Sequence, residues 1–349
     1  MEVDASSNIA AVLYGPETLK IESWPVEEPH EGEIQAKIQS VGVCGTDFHY
    51  WKSGTLFGTP LPKPMVLGHE TSAIVVKVGS AVTKFKPGDK VHLIPAPSCH
   101  KCATCYEGKA HNCQAIKLGL HGHGHLRRIC NHPEEFTVKI PDNLSLDEGA
   151  LMEPWAVGVY SVERSGITVG QNCAIIGSGA VGILVFLAAK LAGAANVCIV
   201  DIDEAKLKSA QKMGECVTVL AGSDPKETAQ RIEEKLGGKP DVAFDASCSQ
   251  IGITTAIYTA KPCGKVVLAG LAPDCTLPMR HAAINEIDII NVVRFGSCYP
   301  RAIEILKTGK VDLKSMIAMR KPLEKTDEAF QEMIKGLKSG FKIIIDCTM

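Results

Sequence analysis

The segment that most constrains the fold is GSGAVG, which fits the pattern G-x-G-x-x-G through Gly177, Gly179 and Gly182. The apolar run CAII precedes it and predicts a short buried strand, and AVGILVFLAAKLAG follows with the length and composition of a helix. The next predicted strand, VCIV, ends at Asp201, 19 residues after Gly182. A strand, a glycine turn and a helix in this order predict a dinucleotide-binding unit of the Rossmann type.

Each glycine has a steric role in such a unit. The first permits a tight turn, the second lets the backbone approach a pyrophosphate, and the third lets the helix pack closely on the strand. The acidic residue would accept hydrogen bonds from the adenosine ribose and repel a 2′-phosphate, so we expect NAD rather than NADP. The alternative is a glycine-rich turn that binds no ligand. The predicted cofactor site comprises Gly177, Gly179, Ala180, Val181, Gly182, Asp201 and Lys206.

The pattern of the chain changes near residue 150. A length of 349 residues exceeds one ordinary core and predicts two domains. Before residue 150, EIQAKIQSVGVC, TSAIVVKVGS and FKPGDKVHLIP alternate apolar and polar residues between turns, which predicts a β-rich domain. After it, strands such as DVAFDAS and GKVVLAGLA alternate with helices, which predicts a parallel, doubly wound sheet. The helix PRAIEILKTG and the strand FKIIIDC end the chain.

The charge balance and the apolar segments exclude several classes of protein. A net charge of −2 gives no electrostatic footprint for nucleic acid or for an anionic membrane, so neither is expected as a partner. MEVDASSNIAAVLY lacks the apolar core of a signal peptide, and ILVFLAAKLAGAA is too short and interrupted to span a bilayer. We therefore expect a cytoplasmic protein, in a compartment that disfavours disulfides.

Four of the 14 cysteines lie in SCHKCATCYEGKAHNC, with the spacing C-x2-C-x2-C-x7-C. Four thiolates on short loops suit a closed, tetrahedral structural zinc with no open position for substrate. An iron–sulfur cluster takes the same ligands, and chance clustering is the remaining alternative. The predicted ligands of this structural zinc are Cys99, Cys102, Cys105 and Cys113.

A second potential metal group lies in VGVCGTDFHYW and MVLGHETS. Cys44, His69 and Glu70 offer one sulfur, one nitrogen and one oxygen. Three protein ligands and an open fourth position are what a catalytic zinc requires. By spacing alone the indication is weak, because a lone cysteine is usually a core residue and a His-Glu pair is usually on the surface.

These motifs, in the order CGTD, GHE, four cysteines and GSGAVG, resemble the zinc-dependent medium-chain dehydrogenases, from about residue 8 to the C-terminus. The phrases KPMVLGHE, LRRICNHPEEF, KIPDNLSLDEGALMEP, VDIDEAKL and HAAINEIDI resemble the polyol dehydrogenase family in particular, which acts on sorbitol, xylitol or L-arabinitol. The resemblance implies an α/β fold with a GroES-like catalytic domain, residues 1–154 and 293–349, and a Rossmann domain, residues 155–292. It also implies a homotetramer.

The resemblance assigns roles to single residues. Cys44, His69 and Glu70 fall on the catalytic zinc ligands, and Glu153 falls on the acidic residue that contacts the metal or its water. Thr46 falls on the hydroxyl beside the substrate oxygen, and His49 falls on the outer position of a proton relay. The positions matched to polyol contacts are Tyr50, Glu153, Arg294 and Phe295, and Trp51 is expected to wall the pocket.

Two departures from the family bear on the substrate. HGHGHL replaces an acidic DDG segment, and Phe295 stands where relatives usually have tyrosine. Among the loop histidines His121, His123 and His125, metal binding is one interpretation and a polar loop near the active site is the other.

The sequence therefore predicts an NAD-dependent enzyme with two zinc ions per chain that reversibly oxidises a secondary hydroxyl of a pentitol or hexitol. One alternative is a dehydrogenase of another secondary alcohol, such as a vicinal diol or threonine. A non-catalytic relative is a second alternative, which the intact metal ligands disfavour. A zinc-finger nucleic-acid binder is a third, which the weakly acidic charge disfavours.

Overall fold

The computed structural model describes residues 8–348, except 57, 61–63, 96, 117–123 and 338. The chain divides into two compact units, Met1–Glu153 with Ile303–Met349, and Pro154–Ala302. The domain ranges inferred from the family resemblance stay a prediction beside these units. Within the described residues, no helix combines the length and the apolar character that crossing a bilayer requires.

Strands dominate the chain up to residue 139, and strands and helices alternate after residue 170. The strands are β1 (Ile9–Gly15), β2 (Thr18–Ser23), β3 (Glu33–Gly42), β4 (Thr55–Leu56), β5 (Thr59–Pro60), β6 (Met65–Val66), β7 (Glu70–Val78), β8 (Lys90–Leu93), β9 (Ile129–Pro133), β10 (Thr137–Lys139), β11 (Cys173–Ile176), β12 (Val197–Asp201), β13 (Val217–Leu220), β14 (Val242–Asp245), β15 (Lys265–Leu268), β16 (Asp288–Asn291), β17 (Ile317–Pro322) and β18 (Lys342–Asp346). The α-helices are α1 (Gly45–Ser53), α2 (Ala103–Tyr106), α3 (Leu146–Ala150), α4 (Met152–Ser165), α5 (Ala180–Leu191), α6 (Glu204–Lys212), α7 (Pro225–Leu236), α8 (Gln250–Thr259), α9 (Met279–Ile284), α10 (Tyr299–Lys307) and α11 (Thr326–Lys335). Single 3₁₀ turns are Ala110–Asn112, Glu134–Phe136, Lys314–Met316 and Leu323–Lys325.

The first unit is built on β-sheets, as the alternating sequence pattern predicts, and its neighbouring strands pair antiparallel except for β17 and β18, which are parallel. A small sheet has the order β2-β1-β6, and a larger one has the order β10-β8-β7-β3-β18-β17, with β9 also paired to β3. β18 comes from the end of the chain and pairs antiparallel with β3. Aromatic and aliphatic side chains such as Trp51, Phe330 and Ile38 fill the core beneath these strands. The larger sheet therefore brings residues from both ends of the chain to one place.

The second unit is a six-stranded sheet of order β13-β12-β11-β14-β15-β16. Every neighbouring pair in it is parallel, and helices connect most of its strands, which confirms the doubly wound prediction. The strand order reverses at β11, whose neighbours are β12 and β14. Ligands of such sheets bind at the carboxyl ends of the strands beside this reversal, and the glycine turn begins directly after β11.

Candidate active site and cofactor site

Antiparallel pairing of β3 and β7 brings the three predicted catalytic metal ligands together. Cys44 follows β3 as the N-cap of α1, and Glu70 begins β7 directly after His69. Gly42, the last residue of β3, is the register partner of Glu70. The potential ligand atoms of Cys44, His69 and Glu70 all lie within 4.8 Å of one another. The two sequence motifs therefore meet in one group, in which His69 and Glu70 are buried and Cys44 is half-buried.

The carboxylate of Glu70 is fully enclosed and only half satisfied. Its Oε1 accepts a hydrogen bond from the ammonium of Lys342, which also donates to the carbonyl of Val43 at 3.3 Å. Its Oε2 is buried and has no hydrogen-bond partner among the described residues. An orphaned buried carboxylate oxygen is costly, and a metal ion beside it would remove that cost. Burial opposes the charge on Lys342, but Glu70 and Cys44 raise the pKa of the ammonium above its ordinary value.

His69 is oriented by a buried carboxylate. Asp47 on α1 accepts a hydrogen bond from the backbone N–H of Gly68 at 3.1 Å, and the same oxygen lies 3.3 Å from His69 Nδ1. Burial alone would lower the pKa of His69, but Asp47 and Cys44 raise it well above its ordinary value. The second oxygen of Asp47 is also buried without a partner among the described residues. Two buried carboxylate oxygens without partners, together with the sulfur, nitrogen and oxygen donors of the group, therefore fit zinc.

The other predicted catalytic residues lie outside this cluster of potential ligand atoms and differ in their burial. Glu153 is 7% exposed, and burial raises the pKa of its carboxyl to about 7, with His69 opposing and Glu70 adding to the shift. Glu153 does not belong to the cluster of potential ligand atoms, which holds the other three residues. On α1, Thr46 is half-buried and His49 is exposed. The roles of Glu153, Thr46 and His49 stay predictions.

Trp51 is a core residue, so the prediction that it walls the pocket is wrong. It has no exposed surface, it stacks on Phe330 with ring centroids 5.3 Å apart, and its indole N–H donates to Asp327 at 2.9 Å. Tyr50 beside it is equally enclosed. A substrate contact by Tyr50 would need its neighbours to move, and that role stays a prediction.

The four clustered cysteines form a separate group of thiols. The Sγ of Cys113 lies 3.4 Å from Cys99 and 3.8 Å from Cys102, and the Sγ atoms of Cys102 and Cys105 are 3.5 Å apart. Zinc–sulfur bonds of about 2.3 Å in a tetrahedron place the sulfur atoms about 3.8 Å apart. Backbone N–H groups of Gln114 and Cys105 lower the pKa of Cys102 to about 6, whereas burial and the hydrogen bond with Cys102 raise the pKa of Cys105 to about 11. The geometry is compatible with one tetrahedral ion.

His125, one of the three loop histidines, is buried. Its Nδ1 lies 2.9 Å from the hydroxyl of Thr71, and burial, followed by His132, lowers the pKa of its ring well below the ordinary value. Two groups of potential metal ligands occur among the described residues, and His125 belongs to neither. His121 and His123 lie outside the described residues.

The glycine turn has the steric constraints that the sequence predicts. Gly177 has φ +99°, and a Cβ there would lie 2.7 Å from the backbone of Ala246 and Ser247. A Cβ on Gly182 would overlap the carbonyl oxygen of Gly177. Gly179 is the N-cap of α5, and the remaining predicted cofactor residues occupy the first turn of α5 (Ala180, Val181) and a half-buried position on α6 (Lys206). The turn therefore leaves the N-terminus of α5 available to phosphates.

The carboxylate of Asp201 is fixed by the same turn. Its Oδ2 accepts hydrogen bonds from both the backbone N–H and the hydroxyl of Ser178, each at 2.8 Å, and its Oδ1 accepts from the backbone of Asp203 at 3.0 Å. Sequence reasoning missed Ser178, although its place between two motif glycines was a usable signal. It also missed Lys342, whose partner Glu70 is 272 residues away in sequence.

The two predicted substrate residues of the second unit lie in a constrained turn. Arg294 has φ +56°, a left-handed conformation that non-glycine residues rarely adopt, and Gly296 follows with φ +53°. A Cβ on Gly296 would overlap the ring of Tyr160. Phe295 is 7% exposed and meets Tyr299 edge-to-face with ring centroids 4.6 Å apart. Strained backbone of this kind is found at binding sites more often than elsewhere.

Comparisons with known proteins agree with this architecture. Residues 30–142 match the family model of the alcohol dehydrogenase GroES-like domain, and residues 180–308 match that of zinc-binding dehydrogenases. Human sorbitol dehydrogenase is 37% identical over 345 residues, which cover 98% of this chain and 96% of that protein.

Two solved structures extend the comparison. An oxidoreductase/dehydrogenase of unknown specificity from Escherichia coli superposes with a TM-score of 0.90 and 31% identity, over 97% of this chain and 99% of that one. A zinc-binding dehydrogenase from Sinorhizobium meliloti, bound to NADP, superposes with a TM-score of 0.88 and 26% identity over the same shares of the two chains.

The fold and the metal group thus define a zinc-binding dehydrogenase with a GroES-like domain. Within that class, the chain belongs to the polyol dehydrogenase family of zinc-dependent medium-chain dehydrogenases.

Proposed function

We propose that this enzyme oxidises a secondary hydroxyl of a pentitol or hexitol to the ketose, reversibly, with NAD⁺ as hydride acceptor. The observation that carries the proposal is the group of potential metal ligands Cys44, His69 and Glu70, with its buried, unpartnered carboxylate oxygen. The curated relatives at about 37% identity are sorbitol dehydrogenases, which supports the substrate class.

Different residues would bind the metal and transfer the proton. Cys44, His69 and Glu70 would hold the metal, and Lys342 holds Glu70 in place. Zinc, when bound, supplies a Lewis acid for the substrate oxygen, and the dinucleotide supplies the hydride acceptor. The hydroxyl of Thr46 would accept the proton released from the substrate and give up its own proton toward the exposed His49, which would pass it to water.

The proposal of NAD rests on Asp201. Because Ser178 and Asp203 fix its carboxylate at the end of β12, a 2′-phosphate would meet an immobile negative charge there. Asp201→Ala should therefore weaken NAD⁺ binding and raise the relative rate with NADP⁺. Equal use of the two cofactors by the wild type would contradict this assignment.

The proposal of a second, structural zinc rests on the four thiols. Their separations of 3.4–3.8 Å suit a single tetrahedral ion. Cys102→Ser should lower thermal stability with no direct effect on the chemistry, since a structural ion contributes folding free energy. An unchanged melting temperature would exclude that role. Thiolate ligands also support a reducing, cytoplasmic location, and the family resemblance supports a homotetramer with no nucleic-acid or membrane partner.

The substrate class is tested through Arg294. Its planar guanidinium offers several donors that could bind two oxygens of an extended polyol. Arg294→Ala should lower kcat/KM for pentitols and hexitols about 100-fold, the loss for about 2.7 kcal/mol of charged hydrogen bonds, and spare 2-propanol. A matched control is Arg231→Ala, because Arg231 is an exposed arginine on α7. Equal losses for polyols and 2-propanol would mean that Arg294 supports the fold or the cofactor instead.

A further inference from the structure

A groove of about 610 Å³ lies on the second unit, away from the residues assigned to the dinucleotide. Helices α7, α8 and α9 supply most of its lining, and neither the glycine turn nor Asp201 contributes to it. Its volume falls in the range of small-molecule sites. The proposed polyol chemistry makes no use of this groove.

The groove concentrates positive charge that the protein itself does not neutralise. Lys226, Lys239 and Arg280 line it, and Glu233 is the one carboxylate among the lining residues. None of the three cations lies within 4.0 Å of a carboxylate oxygen of the described chain. Elsewhere in the same unit, exposed cations do find partners, as Arg301 does with Glu163. Like charges that converge without a counter-ion favour the binding of an anion.

Tyr258 contacts two of these three cations, Lys226 and Lys239. The Nζ of Lys226 lies 5.3 Å from the centroid of its ring, and the Nζ of Lys239 donates to its carbonyl oxygen at 3.1 Å. The ring of His281 meets the same tyrosine edge-to-face, with centroids 4.8 Å apart. Two ammonium groups and an imidazole are therefore arranged around the ring and the backbone carbonyl of one residue, which reduces the entropy lost when a ligand binds.

His281 provides the second indication of a ligand. Its Nε2 is buried and has no hydrogen-bond partner among the described residues. Burial, followed by the charges of Lys239 and Lys226, lowers the pKa of the ring. A buried ring nitrogen without a partner is rare in native structures, and an anionic oxygen in the groove would provide one.

We propose that this groove binds the phosphate group of a small molecule. Lys226, Lys239 and Arg280 would contact the phosphate oxygens, and the N–H of His281 would donate to one of them. The groove is larger than free phosphate requires, so it has room for an attached sugar. The site is separate from the dinucleotide turn, and the proposal does not depend on the substrate assigned above.

The test is isothermal titration calorimetry on the full zinc-loaded chain, with NAD⁺ saturating so that the dinucleotide turn is filled. Inorganic phosphate and glucose 6-phosphate are titrated separately. We expect one saturable site per chain that weakens at high salt. Tighter binding of the sugar phosphate would identify a phosphorylated metabolite as the ligand, and equal binding would identify free phosphate.

Variants decide whether the groove itself is responsible. Arg280→Ala and Lys239→Ala should each weaken phosphate binding about tenfold, as expected for the loss of one charge-assisted contact. Arg231→Ala removes the same charge as Arg280→Ala from an exposed position of α7 that does not line the groove, and it should bind as the wild type does. The absence of saturable binding, or equal weakening by Arg231→Ala, would overturn the proposal.

Discussion

Gly42 is the residue whose replacement should damage the metal group most selectively. It faces Glu70 across the β3–β7 ladder, and a Cβ added to it would meet Glu70 Cβ at 3.1 Å and Cδ at 3.2 Å. The unpartnered Oε2 of Glu70 would lie less than 3.0 Å from the added Cβ, a separation that real Cβ atoms essentially never show. Gly42→Ala therefore forces the carboxylate away from its present position, because the backbone of the paired strands cannot move as easily.

The size of the effect follows from that displacement. Returning Oε2 to the ordinary contact range moves it by about 1 Å, and a misplacement of this size costs about 100-fold in rate. This corresponds to about 2.7 kcal/mol of transition-state stabilisation. Zinc affinity should fall with it, since Glu70 would no longer complete the ligand set.

The assay combines polyol kinetics with metal analysis by mass spectrometry after dialysis against a weak chelator. Gly32→Ala is the matched control, because Gly32 precedes the same strand and a Cβ there meets nothing within 4 Å. Gly42→Ala should lose one of the two proposed zinc ions, and Gly32→Ala should keep both. Circular dichroism verifies that each variant folds. A folded Gly42→Ala variant with the zinc content and kcat/KM of the control would show that the position of the Glu70 carboxylate does not govern metal binding.

Three further predictions concern buried polar groups. Lys342→Met leaves the carboxylate of Glu70 buried without its partner, so the metal-free protein should lose about 3–5 kcal/mol of unfolding free energy in urea. Bound zinc should restore part of the lost unfolding free energy. An equal loss with and without zinc would contradict the role given to Lys342 and Glu70. Ser178→Ala removes one hydrogen bond to Asp201 and should weaken NAD⁺ binding about fivefold at unchanged kcat. The control Ser161→Ala, which removes a hydrogen bond to the carbonyl of Val157, should leave NAD⁺ binding unchanged. Burial lowers the pKa of His132 to about 4 from 6.5, so its neutral ring stabilises the fold above pH 6.5 and that contribution is lost as the pH falls toward 4. Between those values the wild type should lose about 1.4 kcal/mol per pH unit more than His132→Gln, and parallel curves would exclude this role.

Local patterns made most of the fold predictable from the sequence. β3, β7 and β11 coincide with segments whose alternation or apolar character predicted strands, and α5 coincides with the helix expected after the glycine turn. Strands β13 and β16 were not singled out, because they form the two edges of their sheet, and their mostly half-buried or exposed residues lack the continuous apolar run of β11.

The site residues that lie within a sequence motif were predictable, whereas contacts between segments far apart in the sequence were not. Cys44, His69 and Glu70 lie in two motifs, and their proximity follows from pairing of adjacent strands. The contact of Lys342 with Glu70 depends on β18 joining the sheet from the far end of the chain, which no local pattern encodes. Trp51 was misplaced for a related reason, since its partners Phe330 and Asp327 come from α11.

The most direct test of the account is the rate of NADH formation by the zinc-loaded protein with sorbitol, xylitol, L-arabinitol, galactitol and 2-propanol. The rates are measured again after zinc removal and after zinc is restored. We expect turnover of at least one polyol well above that of 2-propanol, its loss when zinc is removed, and its recovery when zinc alone is restored. A zinc-loaded, NAD⁺-saturated protein that oxidises none of the polyols, or that oxidises them equally well without zinc, would contradict it.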